Sequence, residues 1–191
     1  MIINRKEDIR YYLFIVVLGG NLDRSHIETH DIRWVVGETI QDTYKQLREE
    51  WVGNPKGLHI DSYKRIEYID GYKVCVKKFT KVSKNKTNKG KTLWFVNLGG
   101  YSPNELYEKH SVGLYAANSI LEAKRKAKDN WLEPFSKKHN DNHSSLTRIK
   151  DIDNIYPIDK IKDWEIVLRK DPEERSQRMN PDWYGYKRID N

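Results

Sequence analysis

The heptapeptide FIVVLGG at residues 14–20 returns as WFVNLGG at residues 94–100, and this recurrence decides the fold. When the sequence is shifted by 80 positions, residues 14–51 lie over residues 94–131 without a gap. Eight of these 38 positions are identical, whereas composition alone would give about two or three matches. The identical pairs are Val16/Val96, Leu18/Leu98, Gly19/Gly99, Gly20/Gly100, Glu28/Glu108, His30/His110, Ile40/Ile120 and Trp51/Trp131. Since this period is too long for a solenoid, we expect two copies of a small unit.

Four strands are predicted in the first copy of the unit. Residues 11–18 are aromatic and β-branched and run into Gly19-Gly20, which reads as a strand followed by a tight turn. Residues 30–36 alternate as a second strand. Two further strands are predicted at residues 59–66 and 71–79, and residues 158–168 repeat residues 66–76 at an offset of 92.

A helix is predicted after the second strand of each copy. Thr39 is followed three positions later by Asp42, and Ser119 by Glu122, which is the capping-box spacing or close to it. Apolar residues then recur at helical spacing on one face. These residues are Ile40, Tyr44, Leu47 and Trp51 in the first copy, and Ile120, Ala123, Ala127 and Trp131 in the second. The predicted stops are Gly53 and Pro134.

The pattern as a whole predicts an α+β fold. We expect a tandem repeat of two β-β-α-β-β units, each an antiparallel sheet covered by one helix, packed as an internal pseudo-dimer. The predicted division is a first unit at residues 11–79, a lysine-rich connector at 80–92, a second unit at 93–168 and a polar tail at 169–191.

The net charge of +7 is concentrated in one segment rather than spread over the units. Residues 77–92 contain seven lysines and no acidic residue. The lysines are Lys77, Lys78, Lys81, Lys84, Lys86, Lys89 and Lys91. Because only Phe79 among these residues offers an aromatic surface for stacking, nucleic-acid binding here would be weak and sequence-blind. A solvated connector is the alternative interpretation.

Cysteine and hydropathy place the chain in a broad class. A single cysteine, Cys75, allows no internal disulfide, which fits a reducing compartment. The longest apolar run, residues 13–18, is far too short to span a bilayer, and no cleavage site of a secretory signal is evident. We therefore expect a cytoplasmic protein with no membrane span.

Several strings together resemble one bacterial family, known as domain of unknown function 1543. They are LGG (18–20), ETHD (28–31), LHIDS (58–62), VNLGGY (96–101) and EKH (108–110). The resemblance covers roughly residues 11–168 and implies the two-unit architecture. It implies no established activity and no catalytic residues, and the second copy lacks a clean counterpart of LHIDS.

The pairs Glu28-x-His30 and Glu108-x-His110 are the sharpest candidate site. Residues i and i+2 of a strand share a face, so carboxylate and imidazole would converge as metal ligands or as acid and base. Two copies near a pseudo-two-fold axis would supply four ligands. The structural alternative is that both histidines are largely buried and bonded near the Gly-Gly turns.

Three weaker candidates have mainly structural interpretations. His59, Asp61 and Ser62 contain the residue types of a hydrolase triad, but the string lacks a nucleophile elbow, and half-buried polar strand residues are the favoured interpretation. Cys75 lacks an identifiable basic partner and is predicted to be inert. The two Gly-Gly pairs would need a helix directly after them to hold a phosphate, and a strand follows instead.

The sequence favours a non-enzymatic binding or adaptor protein whose contact surface lies between the two units. A protein or a small ligand is the expected partner, and no cofactor is strongly implied. The first alternative is a small metal-dependent or acid–base enzyme that uses Glu28, His30, Glu108 and His110. The second is weak nucleic-acid binding through the lysine-rich connector.

Overall fold

The computed structural model describes residues 10–79, 90–101, 106–136 and 148–190, and the elements follow the same order in both halves of the chain. The first half contains β1 (Tyr12–Gly20), β2 (Thr29–Gly37), α1 (Tyr44–Glu50), β3 (His59–Ile66), β4 (Tyr68–Ile69) and β5 (Tyr72–Lys78). The second half contains β6 (Thr92–Tyr101), β7 (Lys109–Ala117), α2 (Ile120–Ser136), β8 (Arg148–Pro157), β9 (Lys160–Ile161) and β10 (Trp164–Lys170). A last strand, β11 (Trp183–Arg188), follows.

The strand bounds repeat with the spacing that the sequence predicted. β6 and β7 begin 80 residues after β1 and β2, whereas β9 and β10 begin 92 residues after β4 and β5. The change of offset falls between α2 and β8, a region that includes residues 137–147, outside the described part of the chain. Each half holds one strand more than predicted, because the two-residue strands β4 and β9 precede β5 and β10.

The strands form three antiparallel sheets, and the middle sheet joins the two halves. One sheet has the order β11-β3-β1-β2, another has the order β7-β6-β8, and the middle sheet has the order β4-β5-β10-β9. In the middle sheet β5 pairs with β10 so that Cys75 lies opposite Val167. Hydrogen bonds across this pair tie the last strand of one half to the last strand of the other.

Apolar residues from both halves meet in a shared core. Leu13 and Ile15 of β1 pack with Leu93 and Phe95 of β6 in this core. On the opposite faces α1 covers one sheet, with Leu47 fully buried, and α2 covers another through Ala123 and Ala127. This is the layered arrangement expected when each sheet has two apolar faces to bury. None of the helices in the described residues is long and apolar enough to cross a bilayer.

The helix starts and ends differ from their predictions in detail. In the first half a 3-10 turn at Gln41–Thr43 precedes α1, and the Thr39 hydroxyl donates to Asp42 at 2.7 Å instead of capping an amide. In the second half the Ser119 hydroxyl does accept from the Glu122 amide at 3.2 Å. α2 also continues past Pro134, the predicted stop, to Ser136.

Two turns in equivalent positions contact the opposite half of the molecule. Asp70 and Lys162, which are 92 residues apart, both have a positive φ, of 51° and 48°. Asp70 Oδ2 accepts from Lys126 Nζ of α2 at 2.9 Å and from the Ala116 amide of β7 at 3.1 Å. Lys162 Nζ donates to Glu49 of α1 at 2.9 Å. Each turn therefore forms an ion pair with the helix of the other half.

The polar tail forms an edge strand that the sequence did not predict. β11 pairs with β3, and Ile189 just beyond it is buried in the same core as Leu47. The Ile189 amide donates to the Leu58 carbonyl at 3.0 Å, and the Arg48 side chain of α1 donates to the Ile189 carbonyl at 2.9 Å. The tail therefore covers the edge of the first sheet beside β3.

Candidate functional site

A glycine in the middle of the first sheet lies between two histidines. Gly19 of β1 pairs with His30 of β2 on one side and with His59 of β3 on the other. A Cβ atom added to Gly19 would collide with His59 Nε2, and one added to Gly20 would lie 2.8 Å from the Trp51 ring. The predicted tight turn at these glycines is therefore wrong, since they complete strand β1 and leave room for neighbouring side chains.

His59, the neighbour of Gly19 in β3, is almost fully buried, with only 1% of its surface exposed. Its Nδ1 lies 2.8 Å from the Gly57 carbonyl oxygen. Its Nε2 lies 3.2 Å from Glu28 Oε1 and 3.2 Å from Asp61 Oδ1, but it has no hydrogen-bond partner in proper geometry. His59 is thus fully buried rather than half-buried, and its second nitrogen faces two carboxylates.

His30 lies on the solvent side of the same carboxylates. Its Nε2 is 3.2 Å from Asp61 Oδ2 and 3.8 Å from Glu28 Oε2. The side chain is 54% exposed, so the expectation that His30 is buried against a Gly-Gly turn is wrong. The end of β2 reaches beyond the shared core, which leaves His30 open to solvent.

Asp61 reaches these histidines from an irregular position in β3. Val17 of β1 pairs with Ser62, and the next residue, Leu18, pairs with Ile60, so Asp61 is the extra residue of a β-bulge. A bulge bends its strand and redirects a side chain, and bulges are common beside active sites. The sequence linked Asp61 with His59 and Ser62 as hydrolase residue types, whereas the structure places Asp61 against His30 and His59.

The tail holds the loop before His59 in place. Gly57 donates its amide to Asp190 at 2.7 Å, and Arg188 binds the same carboxylate at 2.6 Å. The Arg188 guanidinium, helped by the Gly57 amide, keeps the pKa of Asp190 well below its usual range. Tyr186 of β11 lies against the His59 ring, with 4.0 Å between the ring centroids. The position of His59 therefore depends on the last residues of the chain.

The second half has a similar backbone arrangement, with a second register irregularity between Gly99 and Gly100 and a different residue opposite Gly99. Gly99 of β6 pairs with His110 on one side and with Asp151 on the other. Asp153 occupies the bulge, because Asn97 pairs with Asn154 and Leu98 with Ile152. The register thus reveals a counterpart of LHIDS that the sequence comparison missed, with an aspartate where the first half has His59.

His110 is exposed like its equivalent in the first half. Its side chain is 50% exposed, so the prediction of burial is wrong here too. Its Nε2 lies 4.0 Å from Glu108 Oε2, and its Nδ1 lies 3.3 Å from the Asn97 amide nitrogen. Glu108 Oε1 is buried and has no hydrogen-bond partner in the part of the chain that the structure describes.

A cleft of about 660 Å³ opens between the two halves. Both candidate histidines, His30 and His110, line it. Its other lining residues are Val17, Asp31, Ile32, Arg33, Trp34, Phe95, Asn97, Val112, Asn154 and Tyr156. Trp34 lies 5.1 Å from Phe95 and 6.0 Å from Tyr156 between ring centroids, which gives the cleft an aromatic wall.

The lysine-rich segment is only partly a solvated connector. Lys77 and Lys78 belong to β5, and Lys78 lies 4.5 Å from the Trp164 ring centroid and 3.6 Å from Asp163. Lys91 donates to Glu122 at the start of α2 at 3.0 Å. The remaining four, Lys81, Lys84, Lys86 and Lys89, lie outside the described residues. Nucleic-acid binding through this segment stays a prediction.

The nitrogen and oxygen donor atoms around His59 lie close together, but their arrangement is not that of a metal site with its ion bound. Within the described ranges, no three His, Cys, Asp or Glu side chains surround a common point as bound ligands would. Sequence reasoning found Glu28 and His30 and missed that His59 and Asp61 complete their cluster. The signal available was the glycine pair at the end of an apolar strand, since a glycine within a strand often marks the close approach of another group.

The comparisons with known proteins agree with the repeat. The family model described as Domain of Unknown Function matches twice, at residues 25–76 and 105–156. A crystal structure of the protein Il1583 from Idiomarina loihiensis is similar, with a TM-score of 0.69 and 27% identity over 94% of this chain and 97% of that one. The comparison with curated proteins gave no match. The two matched segments together span more than half of the sequence, so the chain belongs to the family DUF1543.

Proposed function

We propose that this protein binds a small ligand in the cleft between its two repeat units, and that the units pack as an internal pseudo-dimer around that cleft. The observation that carries the proposal is the cleft itself, which both units line with residues in equivalent positions. A concave site of this volume suits a small molecule better than a flat protein surface.

The register of the middle sheet supports the pseudo-dimer. Val167 lies 92 residues after Cys75 and pairs with it directly. Exchanging equivalent positions turns the pair Trp164–Lys78 into the pair Tyr72–Lys170, which also occurs. The pairing therefore maps onto itself under the repeat, as expected for a two-fold axis through the Cys75–Val167 pair.

The repeated residues in the walls of the cleft support a position of the cleft on the same axis. Three lining pairs are 80 residues apart: Val17/Asn97, His30/His110 and Ile32/Val112. A ligand would thus meet two related walls that differ in chemistry, apolar at Val17 and polar at Asn97.

Unpaired polar atoms indicate what such a ligand would offer. Arg33 Nε and Asn97 Oδ1 are both buried without a hydrogen-bond partner among the described residues, and both residues line the cleft. A buried polar atom left without a partner costs about 1–3 kcal/mol, so these two favour a ligand that supplies an acceptor and a donor. The wall of Trp34, Phe95 and Tyr156 favours a flat apolar part on the same ligand.

A ligand screen with a blocked cleft tests the proposal. Compounds with a flat ring and polar edges are screened by thermal shift against the intact protein and against Val112→Trp, which fills the cleft from the second unit. Val52→Trp, at an exposed position outside the cleft lining, is the matched control. We expect ligands that raise the Tm of the intact protein and of Val52→Trp but not of Val112→Trp. Ligands that stabilise all three alike would place the binding site elsewhere.

An acid–base or metal-dependent enzyme using Glu28, His30, Glu108 and His110 is the second candidate. It is favoured by the opening of His30 and His110 onto one cleft. A ligand that the protein converts would show it, since His30→Ala and His110→Ala would then lower turnover while the ligand still binds.

A further inference from the structure

We propose that the first repeat unit binds one divalent first-row transition metal ion, such as Zn²⁺, through His59, Glu28 and Asp61, with His30 as the fourth ligand on the solvent side. The equivalent place in the second unit, where Asp151 replaces His59, does not form such a site. This inference does not rest on ligand binding in the cleft, because its donor atoms all come from the first unit.

His59 carries the inference because of how its two nitrogens are placed. A carbonyl oxygen only accepts hydrogen bonds, so the contact with Gly57 at 2.8 Å puts a proton on Nδ1. The other ring nitrogen, Nε2, faces Glu28 and Asp61. A backbone carbonyl on one nitrogen is also the usual partner of a histidine that ligates a metal through the other.

Two carboxylate oxygens converge on a buried imidazole nitrogen, and a positive charge among the three groups relieves their mutual repulsion. His59 Nε2 is buried, has no hydrogen-bond partner and lies 3.2 Å from one oxygen of each carboxylate. Water cannot relieve the repulsion freely, because His59 is almost fully enclosed. Buried polar atoms are normally satisfied, so this one calls for a partner that the described residues do not supply.

The donor spacing is already close to what a small ion requires. Metal bonds of about 2.0–2.1 Å in a tetrahedral site place the donor atoms about 3.3 Å apart. Three contacts of this cluster measure 3.2 Å: Glu28 and Asp61 to His59, and Asp61 to His30. Turning the carboxylates would complete the site, and both have room, with 42% and 28% of their side chains exposed.

The surrounding backbone holds the ligands from fixed positions. Gly19 brings β1 against His59 where no larger residue fits, and the bulge in β3 aims Asp61. Two imidazoles select a transition metal over Mg²⁺ or Ca²⁺, which prefer oxygen ligands. Two carboxylates balance the charge of a divalent ion.

Metal titration of the full-length protein tests the site. The chain is stripped with a chelator, and Zn²⁺ binding is followed by calorimetry, with Co²⁺ absorption as an independent report of nitrogen coordination. We expect one ion per chain, a rise in Tm on binding and no comparable binding of Mg²⁺. Absence of Zn²⁺ binding by the intact chain would overturn the proposal.

Single substitutions decide whether these residues are the ligands. Glu28→Gln, Asp61→Asn and His59→Asn should each weaken Zn²⁺ binding more than about 100-fold, since even indirect contacts are worth about 10–100-fold. The Glu28 side chain is partly exposed, so Glu28→Gln is not expected to disturb folding. It therefore tests the ligand assignment even if His59→Asn does not fold. Binding that survives Glu28→Gln and Asp61→Asn would overturn the assignment.

Two control variants distinguish this metal site from an ion that bridges both units and from ligand binding in the cleft. His110→Asn alters the exposed histidine of the second unit and should leave Zn²⁺ affinity unchanged. A loss with His110→Asn would mean that the ion bridges both units, which contradicts a first-unit site. Val112→Trp should abolish ligand binding in the cleft and keep Zn²⁺ binding, so either proposal can fail without the other.

Discussion

The first and second repeat units share a backbone but differ at the residue opposite the central glycine. Both keep the Glu-x-His pair, the paired glycines and a bulge in the third long strand. The first unit has His59 opposite Gly19, whereas the second has Asp151 opposite Gly99. The shared features are thus those of the scaffold, and the difference lies in one nitrogen donor.

The flanks of the two sheets differ in the same direction. In the first sheet β11 covers β3, and its Tyr186 lies against His59. In the second sheet β8 is the edge strand. The unit that carries the enclosed histidine is also the unit that the tail encloses, which indicates that the tail and His59 work together. Exchanges between equivalent positions of the two units therefore test what each difference contributes.

The helices provide the largest expected contrast. Leu47 of α1 and Ala127 of α2 are 80 residues apart and both fully buried, so the first core is filled by leucine where the second is closed by alanine. Leu47→Ala should lower the free energy of unfolding by about 2–5 kcal/mol, since it leaves a cavity in a packed core. Chemical denaturation measures the loss, and Lys45→Ala on the exposed face of α1 should change it by less than about 0.5 kcal/mol. A small loss for Leu47→Ala would mean that the first core tolerates alanine at this helix position, as the second core does at Ala127.

The central glycine should be less tolerant of a side chain in the first unit than in the second. Gly19→Ala forces a methyl group against the enclosed His59 ring, which we expect to cost about 1–3 kcal/mol. Gly99 pairs with Asp151, a smaller residue than histidine, so Gly99→Ala should cost less. Urea unfolding of both variants checks the order. Equal losses in the free energy of unfolding would show that glycine is required by the strand backbone rather than by its contact with His59.

The two turns that contact the opposite unit should also differ in strength. Asp70 binds both Lys126 and the Ala116 amide from a partly buried position, whereas Lys162 meets only Glu49 in its described contacts, and that pair is exposed. Asp70→Ala should lower stability by about 1 kcal/mol, because it leaves a backbone amide without its partner. Lys162→Ala should stay within about 0.5 kcal/mol, as exposed ion pairs usually do. A larger effect at Lys162 would reverse this ranking of the two turns.

Much of the fold could be predicted from sequence because the same physical signals occur in both copies of the repeat. Apolar alternation located β1, β2 and their counterparts, and the two offsets of 80 and 92 hold for the strand bounds. Gly19 and Gly20 were misjudged as a turn, because glycine pairs usually mark turns and the side chains that require them lie far along the chain at His59 and Trp51. The edge strand β11 has mostly exposed residues, so it lacks the periodic pattern that reveals a strand.

The candidate site could be predicted only in part. Strand parity identified Glu28 and His30 as neighbours on one face, but parity assumes an unbroken strand. The bulge at Asp61 breaks that assumption, and no local pattern in the sequence indicates it. Burial of His30 was overestimated because the apolar residues on its face end before the strand does. Long-range pairing, rather than local pattern, brings the four side chains together.

The smallest expected contrast lies in the acids at the two helix starts. The Asn118 amide, with help from Lys91, lowers the pKa of Glu122 from 4.5 to about 2, and the Thr39 hydroxyl lowers the pKa of Asp42 in the first unit. A carboxyl whose pKa falls on folding stabilises the protein above its unfolded pKa and loses that effect as the pH drops through its folded pKa. Glu122 should therefore contribute fully above about pH 4.5 and progressively less towards pH 2.

Glu122→Gln isolates that contribution. The variant should be slightly less stable than the parent at pH 7, and the difference should shrink in urea unfolding between pH 4.5 and pH 2 because the parent then loses its charge as well. Asp129→Asn, at an exposed position of the same helix, removes a charge without the amide contact and should show a smaller pH dependence. A gap for Glu122→Gln that stays constant with pH would mean that the shape of the side chain, not its charge, holds the start of α2.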